Sequence, residues 1–532
     1  MPGGLMNLAS TGQQNIILNG NPSKTFFKST YAQHTNFGLQ KFRVDYAGLK
    51  TLRLTEESTF VFKIPRYADL LMDTYISFNL PHIWSPIYEG LDNAGVQVED
   101  PVPYKFKWID NIGAKMISKV SITCGNQTLH EFSGDYLLAS VQRDYSTEKR
   151  ELFNRMIGHV ADLTDPSNGE GRHTGMYPSA EYTDHISGAE PSIRGRTLYI
   201  PLNSWFSFKS QMAFPLTSLQ YNELHIIITF RPIRELFSIL DVQDTVGLNP
   251  YIAPNMNKTY MQFYRFLQSP PTNVINDTDV AWTDKRVLWD TDIHLNCTYC
   301  FLSKDEAKLF ALQEQKYLFK QVVETKLYNL TGASKTDIKS LGMVSNYLFY
   351  FQRSDVKDRN EWSNYTNWPY IFLPQDVFTS DTLLETTGVQ NAQNVKNILV
   401  SMGLLLDGTY RENVQPVGVY NLIEKCIRTS GNAPDGLYCY NFCLNSNSQE
   451  MQPSGAINMS RFNQVELEFL TISPPLSAMI QTTAFCDSTG AIVGINKPVW
   501  RTYNYNYDCT VFEERFNMIT FIGGNCGLMF AT

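Results

Sequence analysis

In segment after segment of this chain, apolar residues fall on alternate positions. In "STFVFKIP" (58–65), Phe60, Phe62 and Ile64 share one side, and in "DTYISFNLP" (73–81) so do Ile76, Phe78 and Leu80. A period of two is that of a β-strand with one buried face. "MISKVSITCGNQTLHEF" (116–132) alternates, breaks at Gly125-Asn126 and resumes. That pattern predicts a hairpin, because Gly and Asn tolerate the positive φ of a tight turn. "NELHIIITF" (222–230) is almost wholly apolar and predicts a central strand covered on both faces. "TFFKSTYAQ" (25–33) reads as a strand too, with Phe27 and Tyr31 on one face, Phe26 and Lys28 on the other, launched by a turn at Asn21-Pro22.

Helical patterns are few. One covers 133–158, with Ser133 or Asp135 as cap; the other covers 303–322. In the second, Ser303 and Glu306 have the S-x-x-E spacing that satisfies the free amides of a helix start. Leu309, Leu312 and Phe319 would then form its apolar stripe. Stretches 83–108, 159–196 and 353–395 are rich in Pro, Gly, Asn and Asp and longer than ordinary connections. The polar stretch 241–284 reads as a linker. The expected organisation is an N-terminal arm (1–24), a first β unit (25–240), a linker (241–284) and a second β unit (285–532). The fold class is all-β, two successive sandwiches with few helices and long surface loops.

Composition sharpens this picture. At 532 residues, each unit is large enough to bury its own core without disulfides or metals. Aromatic residues make up 13% and charged residues 18%, below the usual quarter, which suits broad β surfaces and large contacts within an assembly. The net charge of −8 argues against a nucleic-acid-coating role, which calls for a basic footprint. The start of the chain lacks a basic region followed by an apolar run, and Pro2 stands where N-myristoylation needs glycine. The most apolar stretches, "LHIIITF" and "FNMITFIGGNCGLMFAT", are shorter than a membrane span.

Candidate chemistry is sparse. The nine cysteines include Cys297/Cys300 and Cys439/Cys443. Cys297 and Cys300 lie in an alternating run, where residues three apart face opposite sides, so their thiols diverge rather than share a zinc ion. Buried, reduced cysteine is the reading, and it fits folding in a reducing compartment. "GEGRHTG" (169–175) lacks the lysine and preceding strand of a phosphate loop, and His130-Glu131 continues as "FSG" rather than as a zinc-protease motif. His225 and His294 sit in strand-like runs, and His34 has no evident acid partner. Glu56-Glu57 and Glu513-Glu514 are adjacent pairs that point to opposite faces of a strand, unlike the facing carboxylates of a glycosidase. Of seven N-x-[ST] sequons, Asn276 and Asn364 lie in loops and are the candidate glycosylation acceptors, whereas Asn296 lies in a strand. No catalytic residue, cofactor site or metal site is assigned.

Several segments together carry a resemblance. They begin with "GGLMNLASTGQQNIILNGNPSKTFFKSTYAQHTNF", which holds the NP-x-x-T-F-F-K core (Asn21 to Lys28) and the H-T-N-F ending (His34 to Phe37). "WIDNIGAKMISKVSITCGNQTLHEFSGDYL" and "YIPLNSWFSFKSQMAFPLTSLQYNELHIII" follow. "LSKDEAKLFA", "EWSNYTNW", "LLLDGTYRE" and "GLYCYNFCLNSNSQEMQPSGAINMSRF" come next, the last with Gln452 to Gly455, Asn458 and Ser460-Arg461. In this order they resemble the double jelly-roll major capsid proteins of nucleocytoplasmic large DNA viruses. Phe214, Asn222 and Asp407 depart from the family pattern.

The resemblance implies two consecutive eight-stranded jelly rolls in a homotrimeric, pseudo-hexameric capsomer that tiles an icosahedral shell, with no enzymatic activity. Implied partners are other copies of the chain, neighbouring capsomers, and minor capsid and penton proteins. Contact with nucleic acid is not expected, and contact with an inner viral membrane only indirectly. The implied location is the virion shell, assembled in the host cytoplasm, with 83–108, 159–196 and 353–395 at its outer face. "TFFKSTYAQ" becomes the first wall element of the first jelly roll. Two other readings stand beside this one: a jelly-roll carbohydrate-binding protein or glycosidase, and a minor capsid or scaffold member of the same family.

Overall fold

The computed structural model describes residues 4–5, 12–92, 94–97, 100–171, 175–181, 189–245, 249–272, 274–276, 282, 284–287, 289–367, 396–473, 483–486, 492–496 and 505–530. Two antiparallel sheets build the first sandwich. One pairs β1 (Phe37–Asp45), β3 (Leu70–Leu80), β6 (Arg196–Pro201) and β8 (His294–Leu302), in the order β1-β8-β3, with β6 also on β3. The other runs β2-β7-β4-β5, from β2 (Ser58–Lys63), β4 (Ile117–Cys124), β5 (Gln127–Phe132) and β7 (Leu224–Phe230). The period of two is visible in burial. Phe60, Phe62 and Ile64 point inward, as do Ile76, Phe78 and Leu80. Phe230 bridges the two sheets, with ring centroids 5.6 Å from both Phe60 and Phe78. The predicted hairpin is β4–β5, and Gly125 carries its positive φ of 59°.

The second sandwich repeats the plan. Its larger sheet runs β9-β15-β11-β13, from β9 (Gln315–Leu330), β11 (Met343–Arg353), β13 (Leu437–Asn441) and β15 (Tyr507–Ile522), with β16 (Asn525–Leu528) folded back on β15. Its smaller sheet runs β10-β14-β12, from β10 (Ala333–Asp337), β12 (Leu399–Leu406) and β14 (Val465–Thr471). Phe351 of the larger sheet meets Phe469 of the smaller edge-on at 5.2 Å.

Several expectations need correction. Residues 25–33 form no strand; the first strand starts at Phe37, and 21–36 is an extended arm. The pattern 133–158 is two helices, α1 (Gly134–Asp144) and α2 (Thr147–Met156), capped by Ser133 and Ser146. Asp135 is not a cap but one member of a buried ion pair. The helix expected over 303–322 stops early. α3 (Lys304–Leu312) begins as foreseen, with the Ser303 hydroxyl accepting from the Glu306 amide, but Phe319 belongs to β9. Leu312 is 74% exposed, so the foreseen stripe is split between a surface helix and a buried strand. β7 is central, yet alternate residues such as Ile227 are only half-buried, so one face alone is fully covered. β8 was expected in the second unit but hydrogen-bonds between β1 and β3 of the first, and the sheets therefore divide after residue 302. The stretch 241–284 is no solvated linker either. Met261, Phe263 and Phe266 are fully buried, and they join Phe106, Trp108 and Phe237 in an aromatic cluster of the first core. The same cluster buries both ends of loop 83–108, while the described residues between Glu89 and Pro101 are mostly exposed.

Candidate functional site

In the larger sheet of the second sandwich, β11, β13 and β15 are buried on both faces. Along β11, Tyr347, Phe349 and Phe351 face the core of the second sandwich, while Leu348 and Tyr350 join that of the first. On β13, Tyr438 and Tyr440 point one way and Leu437 and Cys439 the other. A strand that reads as apolar at successive positions is what two-sided coverage requires. The sandwiches thus share a continuous seam, and backbone contacts tighten it. The Gly431 amide donates to Arg143 O at 2.7 Å, and a Cβ on Gly431 would stand 2.6 Å from the Arg143 and Tyr145 carbonyl oxygens. The Asn360 side-chain amide donates to the carbonyls of Arg234 (2.8 Å) and Phe237 (2.7 Å), and the Trp362 indole donates to Glu235 O at 2.9 Å.

Charged residues are buried in this seam. Glu514 on β15 is fully enclosed; it pairs with Arg143 Nη1 of α1 at 2.7 Å and Lys320 of β9 at 3.1 Å, and accepts from the Tyr136 hydroxyl at 2.8 Å. Arg143 also grips Asp144 through Nε and Nη2 and donates to Ser448 Oγ at 2.7 Å. A second group joins Lys115 to Asp135 (2.6 Å) and the Tyr365 hydroxyl (3.1 Å), with Arg231 on Asp135 at 3.2 Å. The adjacent Glu513 faces the other way and pairs with Arg515, as the alternation of a strand demands. Buried charges persist only when paired and hydrogen-bonded, so these groups fix how one sandwich sits on the other. The sequence signal for them is the charged triplet Glu513-Glu514-Arg515 inside an otherwise apolar strand.

Acid will loosen the seam. Burial raises the carboxyls of Glu514 and Asp135, but the cations beside them outweigh it: Arg143 and Lys320 in one case, Lys115 and Arg231 in the other. Both are held at about 2. Burial among Phe132, Trp205 and Phe319 pushes His130 down to about 4. In the unfolded chain carboxyls titrate near about 4 and imidazole near about 6.5. At these three groups the unfolded state therefore binds more protons once the pH drops below about 6.5, and the stability they contribute is lost as pH falls. Denaturant titrations across pH should show a first decline between about pH 6.5 and 4, which His130→Leu removes, and a second from about pH 4 to 2. A wild-type profile flat down to about pH 4 would contradict this assignment.

The other residues singled out in the sequence are dispersed. His34 is exposed, its Nδ1 2.9 Å from the neighbouring Thr35 carbonyl. Cys297 and Cys300 are both buried but fall in different apolar clusters, so their thiols do diverge. Asn276 is exposed. Asn364 is 1% exposed, donates to Glu361 at 3.1 Å and accepts from the Thr366 amide and hydroxyl, which removes it as a glycan acceptor in the folded chain. The composition of its loop suggested a surface, but residues 356–367 fold into the seam. Residues 368–395 of the third expected loop lie outside the described residues, as do parts of 159–196. Among the described residues, one group of potential metal ligands stands together: exposed Asp45, half-buried Asp292 and nearly buried His294. Arg43 and Lys50 already bridge both carboxylates at 2.6–3.2 Å. Among the described residues, no helix is long and apolar enough to cross a membrane.

The arm is the other unusual surface. Ile16, Ile17, Leu18, Phe26, Phe27 and Tyr31 are all exposed, Phe27 at 99%. No described residue between 12 and 36 is buried. Isolated exposed apolar residues are ordinary, but this many along one segment marks an interaction surface.

A family model for the N-terminus of major capsid proteins matches residues 25–267, and one for the major capsid protein of large eukaryotic DNA viruses matches 306–527. The chain is 24% identical to the major capsid protein of Phaeocystis pouchetii virus, over 96% of this chain and 97% of that protein. It is 22% identical to that of Paramecium bursaria Chlorella virus 1 over the full length of both. In structure it is similar to VP54 of the latter virus, with TM-score 0.61 and 18% identity, covering 96% of this chain and all of the other. It is also similar to the Faustovirus major capsid protein, with TM-score 0.61 and 12% identity over 96% and 94%. At such identities the structural likeness speaks for the fold, which is the double jelly roll. Two sandwiches in tandem, both family matches and full-length relatives agree: the chain belongs to the double jelly-roll major capsid proteins of nucleocytoplasmic large DNA viruses.

Proposed function

We propose that this chain is the shell-building subunit of an icosahedral virion, that it assembles first as a homotrimer, and that the arm joins each copy to its neighbours. Three copies of a two-sandwich chain supply six similar blocks, the number a pseudo-hexagonal tile needs, and closed rotational symmetry is the common rule for such oligomers. The observation that carries the reading is the contrast between the welded seam and the arm. The chain arrives as a rigid two-block unit, with a run of exposed apolar side chains on an extended segment free to reach another copy. Minor capsid and penton proteins would meet the tile at its edges, any inner membrane would be reached through them, and assembly would take place in the host cytoplasm. Of the two candidate glycosylation acceptors, Asn276 is the one exposed at the surface.

Abundance separates this role from that of a minor or scaffold relative. The chain should dominate the protein of purified particles, and a trace amount there would overturn the reading. No feature of the described residues favours a sugar-binding or hydrolytic alternative.

A further inference from the structure

The last hairpin of the chain returns to the first sandwich. Its turn docks beside the β4–β5 hairpin: the Gln220 and Tyr221 backbone amides donate to Gly524 O at 2.8 and 3.2 Å, and the Asn222 side-chain Nδ2 donates to Asn525 Oδ1 at 3.2 Å. A Cβ on Gly527 would stand 3.2 Å from Gln127 Oε1, and Gln127 is the cross-strand partner of Cys124. Two thiols meet at this contact. Cys124 ends β4 and is buried; Cys526 lies in β16, half-buried, against the same apolar core. The side chains of Cys124 and Cys526 interact directly with one another.

The other cysteines differ. Cys297, Cys439 and Cys509 are enclosed within the sandwiches, and burial pushes their thiols up. The pair divides: the interaction with Cys526 outweighs burial and, with the Arg66 charge, holds Cys124 below the ordinary thiol value, while the same interaction and burial push Cys526 up. The first proton lost from the pair therefore leaves the thiolate on Cys124 and the remaining proton on Cys526.

We propose that Cys124 and Cys526 are a redox pair that closes into a disulfide between the two sandwiches when the protein meets a small disulfide oxidant. As Cys526, the sulfur that solvent reaches, attacks one sulfur of the oxidant, its proton passes to the Cys124 thiolate. That forms a mixed disulfide and releases one thiol. Cys124 then attacks the Cys526 sulfur and expels the second thiol. Two protein thiols become one disulfide, the oxidant is reduced to two thiols, and the protons lost by the protein end on them. The bond closes a loop of roughly 400 residues, so it restrains the unfolded chain strongly. The proposal stands on the fold of a single chain, whatever that chain assembles into.

The test is to incubate the purified protein with oxidised glutathione, block remaining thiols in denaturant and map the peptides by mass spectrometry. The expected result is a cross-linked Cys124–Cys526 peptide pair, with both of these thiols lost to the blocking reagent. The exposed Cys426 should instead carry a reducible glutathione adduct. In Cys124→Ser the glutathione should remain on Cys526, because the resolving thiol is gone. In Cys526→Ser, Cys124 should stay blockable. Finding both thiols free in the wild type, or a lasting glutathione adduct on its Cys526, would overturn the proposal.

Discussion

Replacing Arg143 with methionine should destabilise the folded chain by about 3–5 kcal/mol, the range for breaking a buried ion pair by removing one partner. Arg143 is fully buried on α1 of the first sandwich and holds Glu514 of the second together with its own neighbour Asp144. Methionine fills much of the volume, so the cost is electrostatic. Glu514 would keep Lys320 and the Tyr136 hydroxyl, but Asp144 would lose its paired guanidinium. Arg143→Lys should recover only part of the loss, because three guanidinium nitrogens are used at once on Asp144, Glu514 and Ser448, and an ammonium lacks that planar fork. Urea unfolding of both variants, with Glu514→Gln completing a double-mutant cycle, should give a coupling of about 0.5–3 kcal/mol. A loss below about 1 kcal/mol for Arg143→Met would mean that the seam is held by its apolar faces alone.

Removal of residues 1–36 should leave unfolding of the single chain nearly unchanged, within about 0.5 kcal/mol, yet abolish growth of capsomers into shells. The first half follows from burial, since no described residue between 12 and 36 is buried in the isolated chain. The second follows from the apolar side chains it displays. Phe26→Ser with Phe27→Ser is the milder version. Each ring buried on a neighbouring copy contributes at least about 1.5 kcal/mol, so losing both should raise the concentration needed for assembly by roughly a hundredfold or more. Light scattering of assembly reactions would measure this. Normal shells from the truncated chain would remove the arm from the account.

The strands that build each sandwich were legible where one face is buried, as in Phe60, Phe62 and Ile64, because alternation in sequence is alternation in space. The arm misled for the same reason. Phe26, Phe27 and Tyr31 have strand composition, and nothing local distinguishes an aromatic that packs within its own chain from one held out for another. α3 was read too far because Leu309, Leu312 and Phe319 sit at helical spacing, yet β9 claims Phe319 through pairing with β15. β8 was assigned to the second unit by its place in the chain, whereas its sheet partners lie in the first. The ionic seam escaped notice because Tyr136 and Glu514 are 378 residues apart, and pattern reading is local. Family resemblance reached further than periodicity here. Its motifs carry the fold whole, including long-range pairings that no window of sequence contains.

The central claim, that this chain is the repeating block of a shell, is tested most directly by its mass in solution. Light scattering at micromolar concentration should give a trimer of about 180 kDa, three times the 60.8 kDa chain, because obligate interfaces of this kind bury on the order of 2,000–5,000 Å² and do not dissociate there. A strictly monomeric species of 60.8 kDa under the same conditions would contradict it.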